Sequence, residues 1–431
     1  MAWDFSTDPE YAELLAWADT FVREECEPLD YVVPESHDLT NPIRQALIPP
    51  LQQIVKEKGL WATHLGPELG GPGYGQVKLG LLNEIIGRSV CAPIVFGSQA
   101  PDSGNSEILA RFGSPELKER YLKPLLQNEI VSAFSMTEPQ GGADPKVFTT
   151  TAVQDGDEWV INGEKWFTSH ARSAAFLIVM TVTDPDAPTY DQQTMFIVPI
   201  ETPGIETIRN VGMGYEPVGE GIEGYLRYHD VRVPADHRLG PRGGAFMVAQ
   251  TRLGGGRIHH AMRTVGLARR IFDMLCERAV SRYTQGEVLA NKQMVQEMVA
   301  DSWMELEAYR LMVLHTAWKI DQLQDYKAVR GDISAIKAMM QKVLHDITAR
   351  ALQVHGSLGV THEMPFIHYL TESFVMGLAD GPTEVHKVTL ARQVLKNYKP
   401  VDDHFPTTHI PKLRAAAEAK FADQLAGIPR D

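Results

Sequence analysis

The sequence predicts an α+β chain in three successive blocks: a helix bundle, a β domain and a second helix bundle. Changes of apolar period carry this prediction. Up to about residue 130, apolar residues recur at helical spacing, as in Tyr11–Ala18 and Leu47–Val55. From about 145 to 235, short runs rich in β-branched and aromatic residues alternate with turn residues. Helical spacing returns near Phe246 and continues to about 396. The expected divisions are 1–132, 133–240, 241–396 and a tail, 397–431.

Each block has its own justification. In the first, Gly70-Gly71-Pro72-Gly73 interrupts the helical pattern as a loop. In the second, Glu158-Trp-Val-Ile, Phe176–Thr183 and Thr194–Ile200 read as strands, with turns at Asp155-Gly156, Asn162-Gly163 and Thr202-Pro203-Gly204. In the third, Ile258, Met262, Val265, Ala268, Phe272, Leu275 and Ala279 follow at steps of three or four and line up one core face. Lys292–Leu323 and Ala328–Val354 are long amphipathic segments that pack beside it as a bundle. The tail reads as a loop followed by a short peripheral helix near Lys412. At 431 residues the chain exceeds the ~250–300 residues that a single core serves, so several domains are expected.

Composition excludes several classes of function. A net charge of −14 with no basic run argues against nucleic acid. No stretch approaches the ~20 apolar residues of a membrane-spanning helix. The acidic start lacks a signal-peptide pattern, and Cys26, Cys91 and Cys276 are odd in number and unpaired in spacing, so a reducing cytoplasm is expected and neither a disulfide framework nor a zinc site is. His259, His260 and His355 read as structural histidines at helix ends, and no metal is expected.

Four motifs, in order, point to a chemistry. Phe134-Ser-Met136-Thr137-Glu-Pro-Gln-Gly-Gly142-Ala143-Asp resembles the flavin-contacting turn of the acyl-CoA dehydrogenase family, Thr-Glu-Pro-x-x-Gly-Ser-Asp. Asn162-Gly-Glu-Lys-Trp-Phe167-Thr168-Ser169 is similar to the family's Asn-Gly-x-Lys-x-Trp-Ile-Thr, placing Phe167 over one flavin face and the Ser169 hydroxyl near flavin N5. Arg282-Tyr-Thr284-Gln285-Gly and Gln293 are similar to the family's Arg-x-x-Phe-Gly and Gln, and Gln353-Val354-His-Gly356-Ser357-Leu-Gly to Gln-Val-x-Gly-Gly-x-Gly. In relatives these last two groups reach the cofactor of a neighbouring subunit. The resemblance covers roughly residues 10 to 396 and implies the acyl-CoA dehydrogenase fold, with a barrel-like middle domain and a C-terminal four-helix bundle. It also implies bound FAD, a homodimer or homotetramer, an acyl-CoA substrate, and electron-transferring flavoprotein as electron acceptor. Gln99-Ala-Pro-Asp102-Ser-Gly-Asn105, Arg257-Ile-His-His260 and Leu378–His386 most resemble the dehydrogenase portion of the large mammalian kinase-dehydrogenase fusions and their bacterial relatives; no kinase portion is expected here.

The chemistry needs a carboxylate on one side of the substrate Cα–Cβ bond and a hydride acceptor on the other. Most relatives place a Glu before Gly-Thr. Here Asp380-Gly381-Pro382 occupies that position, with Glu384 beyond it, and Pro382 and Glu384 are expected beside the cofactor. A subgroup carries the base immediately before the residue matching Arg257, which is Gly256 here, leaving Asp380 as the carboxylate at either position. The alternative reading of Asp380 is an Asx-turn residue. Arg257 and Gly381 are expected beside the substrate. Gln99, Asp102 and Asn105 fall where relatives line the far end of the acyl pocket, which suggests a polar or 4-hydroxylated chain, unless Asp102 or Ser103 simply caps a helix. A flavin oxidase of the same fold resembling nitroalkane oxidase and a non-catalytic subunit of a heteromeric dehydrogenase stay open as alternatives, whereas Asp380 argues against a flavin monooxygenase, in which the base position is generally not an acid.

Overall fold

The computed structural model describes residues 3–67, 71–214, 216 and 219–429. The first two residues, Gly70 of the expected loop, and the last two residues lie outside them.

The first block folds into α1 Pro9–Phe21, α2 Pro42–Glu57, α3 Gln76–Ile86, α4 Ala92–Val95, α5 Asp102–Phe112, α6 Pro115–Leu117 and α7 Lys123–Leu126. Local chemistry sets the starts of the first two: Asp8 accepts from the Tyr11 N–H, Asn41 accepts from those of Ile43 and Arg44, and a proline opens each helix. Their apolar faces meet in a core that includes Tyr11, Val22, Ile48, Leu60, Leu82 and Phe96.

The middle block holds β1 Ser132–Ser135, β2 Thr151–Asp155, β3 Glu158–Ser169, β4 Phe176–Val182, β5 Gln193–Pro199, β6 Ile205–Val211, β7 Glu223–Pro234 and β8 Arg238–Leu239. The strands join in the order β6-β7-β3-β2-β4-β5-β8, with β1 parallel to β4. Among the described residues this ladder keeps two free edges, β6 and β8, so hydrogen bonding does not close it into a barrel. Asp155-Gly156 forms the expected hairpin turn between β2 and β3. Asn162-Gly163 does not turn: β3 runs through it with a shift of register, and Gly163 at φ +143° is required because a Cβ there would meet Thr150 Cα at 2.6 Å.

The third block comprises α8 Ala245–Ser281, a small hairpin of β9 Tyr283–Thr284 and β10 Glu287–Val288, then α9 Gln293–Leu323, α10 Arg330–His355, α11 Phe366–Leu378 and α12 Thr383–Leu395. α10 is central, packed by α8, α9, α11 and α12, while α3 lies over α8 and α9 and joins the two helical blocks. The expected α8 face is buried at Ile258, Met262, Val265, Ala268, Leu275 and Ala279. Phe272 is only partly buried and Ile271 takes the core position, because the helical face drifts around the axis over so long a helix. In the tail, α13 Ile410–Lys420 and α14 Ala422–Leu425 bury no residue. No helix is long and apolar enough to cross a membrane among the described residues.

Candidate active site

Asp380 lies in the break between α11 and α12, where φ values of +55° at Asp380 and +105° at Gly381 reverse the chain. Its backbone carbonyl accepts from Arg257 Nε at 2.9 Å and faces His386 Nε2 at 3.3 Å. The carboxylate reaches across to α8 instead of folding back on its own turn. Arg252 Nη1 stands 3.9 Å from Oδ1 and His260 Nε2 stands 3.6 Å from Oδ2. A Cβ added at Gly256 would fall 2.9 Å from Oδ2, so positions 256 and 380 face the same point in space. Residues 252, 256 and 260 recur every four residues and share one face of α8, which brings all three to the carboxylate.

Burial governs the groups around Asp380. It pushes His260 down to about 4, against the pull of Asp380, which leaves the ring neutral at pH 7. It pushes Lys337 down to about 8 and Arg263 down to about 10, again opposed by Asp380, and both stay protonated. Asp380 therefore sits among several partly desolvated cations, of which Arg252 also feels the carboxylates of Asp102 and Glu107.

Gln99, Asp102 and Asn105 are brought together, and Asp102 and Asn105 are engaged within the chain, while Gln99 Oε1 is buried without a partner. Asp102 caps nothing: Oδ1 accepts from Ser132 N at 2.8 Å and Ser132 Oγ at 2.6 Å, and Oδ2 accepts from Gln99 Nε2 at 3.1 Å. Asn105 donates to Ser132 Oγ at 2.9 Å and accepts from Arg252 Nε at 2.9 Å. These residues therefore hold β1 and Arg252 to α5.

The Thr-Glu-Pro turn and the end of β3 form one cradle. Trp166 N donates to Thr137 O at 2.8 Å. Lys165 and Glu138, both fully buried, pair at 2.8 Å, and Lys165 also donates to Met136 O at 2.8 Å. A second shift of register, between Lys165 and Thr168, puts Phe167 at φ +51° and turns its ring outward, 47% exposed and stacked on Trp166 at 5.4 Å. Gly142 lies close to Thr137, where a Cβ would come within 3.1 Å, and Ala143 beside it is exposed. An outward aromatic ring beside a glycine-bearing turn fits a flat ring system such as FAD's isoalloxazine. Ser169 donates to Glu223 at 2.8 Å, whereas the Thr168 hydroxyl faces inward to Ser135 at 3.1 Å, leaving only its backbone for a ligand. The Phe134 ring lies under the Arg252 guanidinium, 4.1 Å from its carbon.

The remaining expected residues lie elsewhere. α8 and α10 run in the same direction with α9 returning between them, so the end of α8, the start of α9 and the end of α10 share one end of the bundle. Arg282, Gln285 and Gln293 are exposed there, as are Gln353, Gly356 and Ser357, while Thr284 is half-buried and Val354 is buried in the core. Arg282 is about 37 Å along α8 from Arg257, too far to share a flavin ring with Asp380. Pro382 opens α12 beside Asp380, and Glu384 is exposed on its first turn. His355 bonds its own helix at Ala351 O, 2.8 Å, as a structural histidine would; His260 instead joins the site.

Sequence reasoning missed Arg252, His260, Glu223 and the Glu138–Lys165 pair. The spacing of 252, 256 and 260 was the available signal for the first two. Glu35, His37 and His170 also converge, with potential ligand atoms within 4.8 Å of one another. The two rings stack at 3.6 Å and 18°, so their nitrogen lone pairs run side by side and do not converge on one ion.

Three family models match the chain in succession: the acyl-CoA dehydrogenase N-terminal domain over residues 8–129, middle domain over 133–223 and C-terminal domain over 243–395. The Mycobacterium tuberculosis acyl-CoA dehydrogenase FadE2 is 40% identical over 82% of this chain and 86% of its own length. Acyl-CoA dehydrogenase family member 11 of Rattus norvegicus is 36% identical over 81% of this chain, which spans 45% of that relative's length. Among solved structures, an acyl-CoA dehydrogenase from Mycobacterium abscessus superposes with a TM-score of 0.83 at 36% identity, covering 91% of this chain and 100% of that one. On these matches and this geometry, the chain belongs to the acyl-CoA dehydrogenase family of FAD-dependent oxidoreductases acting on CH–CH bonds.

Proposed function

We propose that this enzyme oxidises the Cα–Cβ bond of an acyl-CoA thioester to the trans-2-enoyl-CoA, with Asp380 removing the α-proton. The observation that carries the reading is the convergence of Gly256 and Asp380 on one point, 2.9 Å from a Cβ at position 256 to Oδ2. The two positions from which relatives supply the base are thus one place in space, and Asp380 alone bears a carboxylate there. FAD, when bound, supplies the hydride acceptor.

Thr137, Gly142, Phe167 and Ser169 would hold the flavin ring, with Phe134, Met136, Ala143, Pro382 and the Thr168 backbone around it. Arg282, Thr284, Gln285, Gln293, Gln353, Val354, Gly356 and Ser357 would serve the cofactor of a second copy in a homodimer or homotetramer; their distance from the base supports this. Arg257, which bonds the Asp380 carbonyl, and Gly381 would hold the base loop against the substrate, and the Asp380 backbone N–H would donate to the thioester oxygen as charge develops on it. Electron-transferring flavoprotein is the proposed acceptor. The cytoplasm is the proposed compartment, consistent with Cys26, Cys91 and Cys276 as free thiols. The engaged Asp102 and Asn105 no longer argue for a hydroxylated chain.

The test is anaerobic titration of the flavin-loaded protein with plain, branched and 4-hydroxylated acyl-CoAs, following flavin bleaching in wild type and Asp380→Ala. Bleaching by a CoA ester in the wild type alone supports the reading, and the panel ranks substrates. Equal bleaching in Asp380→Ala removes Asp380 as the base. No bleaching by any ester, with rapid oxygen consumption on nitroalkanes, turns the reading to an oxidase. Failure of the purified protein to take up FAD turns it to a non-catalytic subunit.

A further inference from the structure

We propose that Arg252 is a positioning residue for Asp380, and that the buried set of Asp102, Ser132, Asn105 and Gln99 is the brace that orients it. This rests on the reading of Asp380 as the base. Arg252 is fastened from three sides. Asn105 Oδ1 takes its Nε at 2.9 Å, the Phe134 ring supports the guanidinium at 4.1 Å, and its stem lies so close to α5 that a Cβ on Gly104 would meet Cγ at 2.9 Å. These contacts fix the guanidinium plane and leave Nη1 directed at Asp380 Oδ1, 3.9 Å away. Asn105 is in turn fixed by Ser132, and Ser132 by Asp102, whose second oxygen is held by Gln99. Asp102, Asn105 and Ser132 are 3%, 0% and 0% exposed, so the brace is rigid and shielded from water.

The need for such a device follows from the length of the base. An Asp is one methylene shorter than a Glu, and a proton is transferred efficiently only when donor and base stand within hydrogen-bonding reach. The carboxylate stands on a four-residue break between α11 and α12 whose two central residues have positive φ, so its direction depends on the groups that α8 presents to it. A buried cation at 3.9 Å supplies a directed electrostatic restraint. The other charged or titratable groups facing Asp380 are Arg257, His260 and Arg263 on α8, Lys337 on α10 and His386 on α12. Beside these, Arg252 is braced from outside its own helix by a chain of buried hydrogen bonds. Lysine cannot replace it, since a single ammonium cannot hold Asn105 and face Asp380 in one fixed plane.

The experiment reads proton removal by itself. A 3-thiaacyl-CoA carries sulfur at the β position and loses no hydride, so exchange of its α-hydrogens with deuterated buffer, followed by proton NMR on the flavin-loaded protein, reports the base alone. Wild type exchanges and Asp380→Ala does not. Arg252→Met keeps the stem and removes the charge; exchange falls about a hundred-fold, as for an ~1 Å displacement of a reacting group, with ester affinity within about twofold and the melting temperature of the apoprotein unchanged. Arg252→Lys does not restore the rate. Asn105→Ala lowers exchange in the wild-type background and adds nothing in Arg252→Met, since it acts through Arg252. Wild-type exchange in Arg252→Met, or a full additional loss from Asn105→Ala in that background, overturns the proposal. If Arg252→Met melts early, Gly104→Ala decides, because it displaces the stem and keeps the charge: slowed exchange supports the proposal and unchanged exchange overturns it. If wild type and Asp380→Ala behave alike, the base reading itself fails.

Discussion

Replacing Lys165 with Met isolates what holds the Thr-Glu-Pro turn to the end of β3. Lys165 and Glu138 are 0% exposed as side chains and pair at 2.8 Å. Burial opposes the charge on Glu138, but Lys165 together with the Thr149 and Thr150 N–H groups outweighs it and holds the carboxyl below its ordinary value. Burial likewise pushes Lys165 down to about 8, with Glu138 pulling it back, so the pair is ionised at pH 7. Lys165→Met leaves Glu138 buried without its cation, held only by Gln140, Thr149 and Thr150, and deprives the Met136 carbonyl of its donor. Removing one partner of a buried pair costs about 3–5 kcal/mol. Amide exchange over residues 132–150 should accelerate about 150- to 5,000-fold at pH 7, with FAD affinity falling alongside. The sign with pH is fixed. A carboxyl whose folded pKa is lowered contributes stability above its unfolded value, 4.5, and loses it as pH falls through the folded value. The variant escapes by protonating Glu138, so its deficit is largest at neutral pH and narrows toward pH 5. A deficit below about 1 kcal/mol at pH 7, or one independent of pH, would refute the argument, since an exposed pair is worth that little.

Gly256→Ala should raise helix stability by up to about 1 kcal/mol while lowering turnover about a hundred-fold, because its Cβ displaces the Asp380 carboxylate; turnover at the wild-type rate would show that the carboxylate is not fixed where it acts. Glu372 is raised to about 7 by burial and the nearby Glu223 charge, so its ionisation weakens the fold as pH rises from 4.5 through 7. Glu372→Gln should therefore match wild type in urea denaturation at pH 4.5 and exceed it by up to about 3 kcal/mol at pH 8; an equal gain at both pH values would exclude this cause. Arg282→Ala should weaken FAD binding about tenfold or more, as for loss of one charge-assisted hydrogen bond, and leave apoprotein melting unchanged. Unaltered FAD affinity, measured by flavin fluorescence, would place Arg282 outside the neighbour's site.

The three blocks and the motif-bearing segments were legible in the sequence because their causes are local. A 3.6-residue period makes a helical core face whatever it packs against, which is why the α8 stripe from Ile258 to Ala279 held apart from Phe272. The Thr-Glu-Pro turn, the end of β3 and Asp380-Gly381-Pro382 are short stretches that the family resemblance picks out without knowledge of their neighbours. Asn162-Gly163 shows where local reasoning stops: the pair is a good turn signal, yet pairing with β7 carries β3 through it.

Tertiary structure alone decided the partnerships. Asp102 reads as a cap or a pocket residue until Ser132, on another element, takes its oxygen at 2.6 Å. Gly256 and Asp380 are distant in sequence and meet because α11 and α12 both pack on α10, which sets the break between them against the face of α8 that carries residues 252, 256 and 260. The separation of Arg282, Gln293 and Gln353 from Asp380 likewise follows from the direction of three packed helices. The sequence by itself determined which segments fold and which chemical groups they carry, since period and turn chemistry act over a few residues. Which of those groups meet was decided by the packed fold, because buried charges and hydrogen bonds must find partners wherever the chain brings them.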